Sequence, residues 1–223
     1  MKTSSALSAI LVSALAGCAA VPQQRDPSTP PVSPDGIPYA TLLPQSEPTG
    51  PIPAGFIGFC FRNYDQCDLP HDAPTIVNLT PAAWAQLQQV NASINKGVTY
   101  EDDEAHYGIS DYWTIAKDGY GDCEDFALTK RKALIDAGIS PAALRIAIVL
   151  TDKKERHAVL TVTTDRGDFV LDSMSDEVRR WTDTDYVWLE RQDPKELWAW
   201  DTLNADTSSA QGTATARPPK DTP

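Results

Sequence analysis

The fold of this chain is decided at residues 119–127, which read Gly119-Tyr120-Gly121-Asp122-Cys123-Glu124-Asp125-Phe126-Ala127. A glycine-rich approach leads into acids and then into an apolar stripe at helical spacing. The pattern therefore predicts a helix that begins near Asp122 and ends at Gly138. Cys123 would lie in its first turn. Free N–H groups and the macrodipole at a helix N-terminus stabilise a thiolate, so this is a suitable position for a cysteine nucleophile.

Working outward, one further helix and several strands are predicted. Thr80-Pro81 is typical of a helix start, and apolar residues recur near helical spacing until Gly97. Within the helix that carries Cys123, the basic run 130–132 does not suit the buried face. Strand patterns follow at Leu144–Thr151, His157–Thr164, Asp168–Asp172 and Tyr186–Glu190, with a hairpin turn at residues 165–167. Helices followed by antiparallel strands make the fold class α+β.

A cysteine nucleophile needs a base, and His157 is the best candidate because it alone of the three histidines lies within a strand pattern. Asp172 ends the next strand. A hairpin register that sets Asp172 opposite Val159 would place the acid diagonally from His157 on the same face, within side-chain reach. A register shifted by one residue would separate them. Taken singly, a buried cysteine, a structural histidine and a turn-forming aspartate are the commoner interpretations.

Residues 55–200 resemble the bacterial transglutaminase-like cysteine proteinases. The resemblance is carried by Gly55-Phe56, Phe59-Cys60, Val90-Asn91, Ile94-Asn95, Asp111-Tyr112-Trp113, Gly121–Asp125, Lys130-Arg131, His157–Leu160 and Leu171-Asp172. It implies a papain/transglutaminase-like fold, with Cys123 as nucleophile, His157 as general base and Asp172 as the residue that orients the histidine.

The acids beside Cys123 need an explanation, because negative charge there opposes a thiolate. Helix capping accounts for part of the pattern. The alternative is a calcium ion held by Asp122 and Glu124, whose side chains are expected to point away from that of Cys123. The resemblance implies this calcium site, with further ligands that the sequence does not identify.

The other cysteines are Cys18, Cys60 and Cys67. Cys60 and Cys67 enclose a segment expected to be a short loop ahead of the first helix, and an oxidising compartment favours a disulfide there over two free thiols. The spacing of the four cysteines is not that of a structural zinc site.

The ends of the chain indicate export. Residues 1–17 have the charge and apolar run of a signal peptide, and Leu15-Ala16-Gly17-Cys18 resembles a lipobox that would place a lipid on Cys18. Ordinary signal cleavage after Ala16 or Ala20 is the alternative. The expected location is the periplasm, with the chain lipid-anchored; Ala19, where inner-membrane lipoproteins often carry aspartate, favours the outer membrane.

The chain between the signal and the domain is rich in proline, which predicts a disordered tether over residues 18–53. Residues 54–200 would form the folded domain. The Thr-, Ser- and Ala-rich residues 201–223 predict a disordered tail.

The formal net charge of −12 argues against nucleic acid as a partner. The leading hypothesis is a cysteine endopeptidase that cleaves a protein substrate. The resemblance implies a surface adhesin as that substrate and an inner-membrane receptor for cyclic di-GMP as a regulator. A transamidase with the same triad and a non-catalytic, calcium-binding lipoprotein are the alternative functions.

Overall fold

The computed structural model describes residues 32–45 and 48–206 of the 223-residue chain. The predicted signal peptide, the predicted lipidation site Cys18 and residues 207–223 of the expected tail lie outside these ranges. None of the helices within the described ranges is long and apolar enough to cross a membrane.

Three helices come first, and two short strands then alternate with two helices before the main sheet begins. The α-helices are α1 (Ala54–Arg62), α2 (Tyr64–Cys67), α3 (Pro81–Gly97), α4 (Asp103–Tyr107) and α5 (Cys123–Asp136). The strands are β1 (Thr99–Tyr100), β2 (Tyr120–Gly121), β3 (Leu144–Leu150), β4 (Arg156–Thr164), β5 (Gly167–Asp172), β6 (Ser175–Arg180), β7 (Val187–Gln192) and β8 (Trp200–Asp206). Helices α3 and α5 and strands β3, β4, β5 and β7 confirm the sequence predictions to within two residues at nearly every boundary.

The main sheet has six antiparallel strands in the order β6-β5-β4-β3-β7-β8. A separate parallel pair, β1 with β2, leads directly into the N-terminus of α5. Strands β4 and β5 are joined through Asp165 and Arg166, and Gly167 after them has φ +105°, a conformation that favours glycine. The α+β prediction is confirmed.

Both faces of the main sheet are covered. Leu160 and Leu171 lie on the face that packs against α3 and α5, where they join Leu87 and Leu134. The neighbouring residues along each strand point the other way, as strand geometry requires, and form a second core with Trp181, Tyr186, Trp188 and Leu43.

The expected tether is wrong over residues 32–45, which we call the strap. Ile37, 1% exposed, joins the first core, and Leu43, 2% exposed, joins the second, so the strap packs against both faces of the sheet. The main chain of the strap bonds to the β4–β5 hairpin, with Ala40 N–H donating to Arg166 O at 2.7 Å and Asp168 N–H donating to Thr41 O at 3.0 Å. These contacts bury a proline-rich segment that carries no periodicity of its own.

Three further expectations need correction. Strand β8 continues to Asp206, so the folded unit extends past residue 200 into the expected tail. The segment around Cys60 and Cys67 is two short helices, α1 and α2, and not a loop. Lys130 and Arg131 are buried, at 0% and 3% exposure, although their charge indicated the outer face of α5. Arg131 is accommodated because it donates to the main-chain oxygens of Gln66 and Leu144.

Candidate active site

Cys123 is the first residue of α5, as the sequence predicted, and its thiol is partly buried. The N–H of Ala158, on β4, donates to Cys123 Sγ at 3.3 Å. This contact brings the N-terminus of α5 against the strand that carries His157. The main chain of β4 therefore contacts the thiol directly.

His157 and Asp172 are in direct contact, with His157 Nε2 lying 2.8 Å from Asp172 Oδ1. Leu160 stands opposite Leu171 in the β4–β5 ladder, which is the register that brings Asp172 and His157 to one face. The two side chains are 7% and 0% exposed, so little water competes for the interaction. Because Nε2 engages Asp172, Nδ1 is the ring nitrogen that remains to exchange a proton with a substrate or a thiol.

The carboxylate of Asp172 is held by several donors. Its Oδ1 accepts from the N–H of Met174 at 3.0 Å, and its Oδ2 accepts from Tyr186 Oη at 2.5 Å and from Arg179 Nη2 at 3.3 Å. Burial acts to raise the pKa of Asp172, but the hydrogen bonds from His157, Tyr186 and Met174 outweigh it and hold the pKa at about 2. Asp172 is therefore ionised throughout the neutral range.

The surroundings of Cys123 raise the pKa of its thiol, whereas those of Asp172 lower the pKa of its carboxyl. Burial and then the negative charge of Glu124 raise the pKa of Cys123 well above its usual value, and the Ala158 N–H only partly offsets them. Glu124 Oε2 lies 3.1 Å from Cys123 Sγ. The expectation that Glu124 points away from the thiol is thus wrong.

Three aspartates converge beside the nucleophile. Asp103, Asp122 and Asp125 each present a carboxylate oxygen within 4.8 Å of the others. One oxygen of each, Asp103 Oδ1, Asp122 Oδ1 and Asp125 Oδ2, is buried without a hydrogen-bond partner. Burial is the leading cause that raises the pKa of all three, to about 8 for Asp122 and for Asp125.

The surroundings of the cluster fix its shape. Asp122 is the N-cap residue of α5, but its side chain makes no capping hydrogen bond, so capping does not explain that acid. The remaining oxygens of Asp103 and Asp125 accept from the N–H groups of Tyr112 and Thr114. A Cβ added at Gly121 would lie 2.6 Å from Asp125 Oδ2, so glycine keeps this side of the cluster open.

Cys60 and Cys67 are joined in a disulfide with a Cα–Cα distance of 5.5 Å. Within the described residues this leaves Cys123 as the free cysteine.

Several residues of the site were not identified from the sequence. Tyr186 and Arg179 reach Asp172 from segments that carry no motif, and Asp103 joins the cluster from the short helix α4. The resemblance did include Asn95, whose Nδ2 donates to the main-chain oxygen of Asp172 at 2.9 Å, but it did not indicate what Asn95 contacts.

A cysteine at a helix N-terminus, packed against a strand whose histidine contacts a carboxylate on the next strand, is typical of a cysteine peptidase of the transglutaminase-like class. Residues 46–208 match the family model described as bacterial transglutaminase-like cysteine proteinase BTLCP, and the chain belongs to that family. The resemblance noted from the sequence is confirmed.

Among solved structures, the chain is similar to LapG of Legionella pneumophila. The calcium-bound LapG structure is 28% identical, with 55% of this chain and 71% of LapG covered and a TM-score of 0.46. The EGTA-treated LapG structure is 29% identical, with 59% and 75% covered and a TM-score of 0.46. No curated protein matches the chain.

Proposed function

We propose that this protein is an exported cysteine endopeptidase that uses Cys123 as nucleophile, His157 as general base and Asp172 as the residue that orients the histidine. The observation that carries the proposal is the pair of contacts at the start of β4: Ala158 N–H to Cys123 Sγ at 3.3 Å, and His157 Nε2 to Asp172 Oδ1 at 2.8 Å. The membership of a cysteine proteinase family supports the same reaction.

In the proposed reaction, Asp172 Oδ1 accepts a hydrogen bond from Nε2–H of the neutral imidazole, which leaves the Nδ1 lone pair free to take the thiol proton and form the imidazolium. Cys123 Sγ then attacks the peptide carbonyl carbon, the C–N bond breaks, and the imidazolium returns the proton to the leaving amine. Water, deprotonated by the same imidazole, attacks the thioester. The acid product leaves and Cys123 recovers its proton. An amine in place of water would make the enzyme a transamidase.

We further propose that Asp103, Asp122 and Asp125 hold a calcium ion. Calcium takes oxygen ligands, and three convergent carboxylates with a buried, unpartnered oxygen each are an apt donor set. Of the two ligands predicted from the sequence, Asp122 belongs to this set, and Glu124 presents an oxygen within 4.8 Å of Asp122 while also contacting the thiol, so Glu124 stays a proposed ligand. The bound cation would supply positive charge beside the nucleophile and so offset acids that otherwise oppose a thiolate.

The remaining parts of the proposal rest on the sequence. Export through residues 1–17 and a lipid on Cys18 would tie the enzyme to a periplasmic membrane face, with the outer membrane favoured. A surface adhesin as substrate and a cyclic di-GMP receptor as regulator are proposed from the family resemblance alone.

The test begins with alkylation of Cys123 by iodoacetamide across a pH series, with calcium and then with a chelator. In calcium, we expect Cys123 to be alkylated at pH values well below the ordinary thiol pKa of roughly 8.5. This reactivity should be lost in His157→Ala and weakened by the chelator. His71→Ala is the matched control, because the His71 side chain is fully exposed. A thiol that titrates at or above the ordinary value in both conditions would refute the catalytic proposal and favour a calcium-binding lipoprotein.

The second part identifies the products. The enzyme is incubated with a primary amine and an unfolded protein such as reduced casein, and then with an adhesin fragment in place of casein. The masses of the products are determined by mass spectrometry. New carboxyl termini indicate hydrolysis, whereas amine conjugates indicate transamidation, and Cys123→Ala must abolish either. Lipid attachment is tested separately by the mass of the mature N-terminal peptide in wild type and Cys18→Ser.

A further inference from the structure

The β5–β6 turn that follows Asp172 is held by helix α3. Asn91 Nδ2 donates to the main-chain oxygen of Ser175 at 2.7 Å, and Asn95 Nδ2 donates to those of Asp172 and Ser175 at 2.9 and 3.0 Å. These bonds position the main chain of Asp172. They do not contact the Asp172 carboxylate, so other groups must restrict its rotation about the side-chain bonds.

Tyr186 supplies that restriction from the other side of the sheet. Its Oη donates to Asp172 Oδ2 at 2.5 Å, and the residue is 6% exposed. Its ring also meets the imidazole of His157 edge-on, with centroids 5.9 Å apart. Arg179 reaches Asp172 Oδ2 as well, but at 3.3 Å and with a side chain that is 29% exposed. Tyr186 is therefore the short and buried contact on this oxygen.

We infer that Tyr186 is a positioning residue for the proposed reaction: its hydroxyl fixes the Asp172 carboxylate so that Oδ1 faces His157 Nε2 and the imidazole keeps Nδ1 toward the thiol. The inference rests on the proposed function, since it assigns Tyr186 a role in that reaction. In this proposal Tyr186 exchanges no proton with the substrate, and its hydroxyl acts through the Asp172 carboxylate.

The charged side chains near the His157–Asp172 pair, and Glu124 beside Cys123, lie on β6 and α5. Arg179 approaches Asp172 from β6, and the buried Lys130, on α5, interacts electrostatically with both Asp172 and Asp176. Glu124, also on α5, faces Cys123. The Tyr186→Phe substitution keeps all of these charges and the ring and removes a single hydroxyl. The shortest contact of that hydroxyl is with Asp172 Oδ2 at 2.5 Å, and Met174 Sδ is more distant at 3.9 Å.

The experiment compares Tyr186→Phe with Thr184→Val in the full mature chain. Thr184 is the matched control, because its Oγ1 donates to Trp181 O at 2.7 Å, it is 1% exposed, and it lies two residues away without contacting Asp172. We expect Tyr186→Phe to lower kcat for peptide cleavage about tenfold with KM unchanged, the effect of losing one hydrogen bond to a charged group. Thr184→Val should leave kcat within about twofold of wild type.

Two NMR readouts separate positioning from general loosening. In Tyr186→Phe the His157 Nε2–H resonance should broaden through exchange with water, and the pKa of Asp172 should rise from about 2 because a donor to its charged form is lost. Neither should change in Thr184→Val. Unchanged spectra in Tyr186→Phe, or equal losses of kcat in the two variants, would overturn the inference. Because the spectra do not depend on turnover, they still decide the role of Tyr186 if the wild type cleaves nothing and the proposed function fails.

Discussion

In the absence of calcium, the stability of the domain should fall as the pH rises from about 4 to about 8. Asp125 is 0% exposed, and burial raises its pKa from 3.8 to about 8. The unfolded chain ionises this group near pH 3.8, whereas the folded domain resists ionisation until about pH 8. The folded state is therefore penalised progressively across that interval, and the penalty stays constant above it.

The size of the penalty follows from the two pKa values of Asp125. The interval from 3.8 to about 8, at about 1.4 kcal/mol per pH unit, corresponds to a ceiling of about 6 kcal/mol. Dipoles and water that rearrange around the charged group reduce this, and we expect a measured loss of about 3 kcal/mol. Such a loss is a large fraction of the stability of an ordinary domain, roughly 5–15 kcal/mol.

The assay is urea unfolding followed by tryptophan fluorescence at about pH 5 and about pH 8, with EDTA and then with calcium. Calcium at a hundred times its Kd should add about 2.7 kcal/mol. Asp125→Asn keeps an acceptor for Thr114 N–H but cannot ionise, so it should reduce the loss of stability between the two pH values by about 3 kcal/mol and leave the share due to Asp122, whose pKa is also about 8. Asp136→Asn, a substitution of an exposed acid on the same helix, should leave that loss unchanged. Equal pH dependence in Asp125→Asn and wild type would refute the reasoning.

Three further predictions concern stability. Lys130→Met should raise the free energy of unfolding at neutral pH by at least about 2 kcal/mol, because burial lowers the pKa of Lys130 to about 7 and its charge is unfavourable in the folded state. Urea unfolding tests this, and a destabilised variant would contradict it. Replacing Cys60 and Cys67 together by alanine should cost about 2.5 kcal/mol, the loop entropy for a sequence separation of 7; an unchanged Tm would show that the disulfide contributes nothing. Leu43→Ala should cost about 3 kcal/mol, whereas Leu42→Ala, at a position 58% exposed, should stay within about 0.5; equal costs would refute burial of the strap as the cause.

The parts of the fold that were predictable from the sequence are those whose signal is local. Helix α3 has a capping Thr80, a proline at its first position and a periodic apolar face, and the β4–β5 hairpin has a turn between two apolar runs. Strand β6 was missed because its sequence, Ser-Asp-Glu-Val-Arg-Arg, is polar on both faces, as an edge strand tolerates. Its pairing with β5 is visible only in three dimensions.

The site divides in the same way. Cys123, His157 and Asp172 could be predicted because their residue types, the strand patterns and the hairpin register are local features of the sequence. Asp103 and Tyr186 could not be predicted, because each gains its importance from a neighbour distant in sequence. Lys130 and Arg131 show the opposite error: their charge predicts exposure, but main-chain oxygens from Gln66 and Leu144 satisfy Arg131 inside the fold.

The strap has a consequence for the order in which the chain folds. Leu43 N–H donates to Asp168 Oδ2 across 125 residues, and Arg191 Nη2 donates to Leu43 O across 148 residues. Leu43 must therefore wait for β5 and β7 to be synthesised before it acquires these partners. Contacts of such long range close late and slowly. The segment around Leu43 should therefore dock last, onto a sheet that has already formed. Until then, the apolar surface that Leu43 covers on the second face stays exposed and can bind chaperones or other chains.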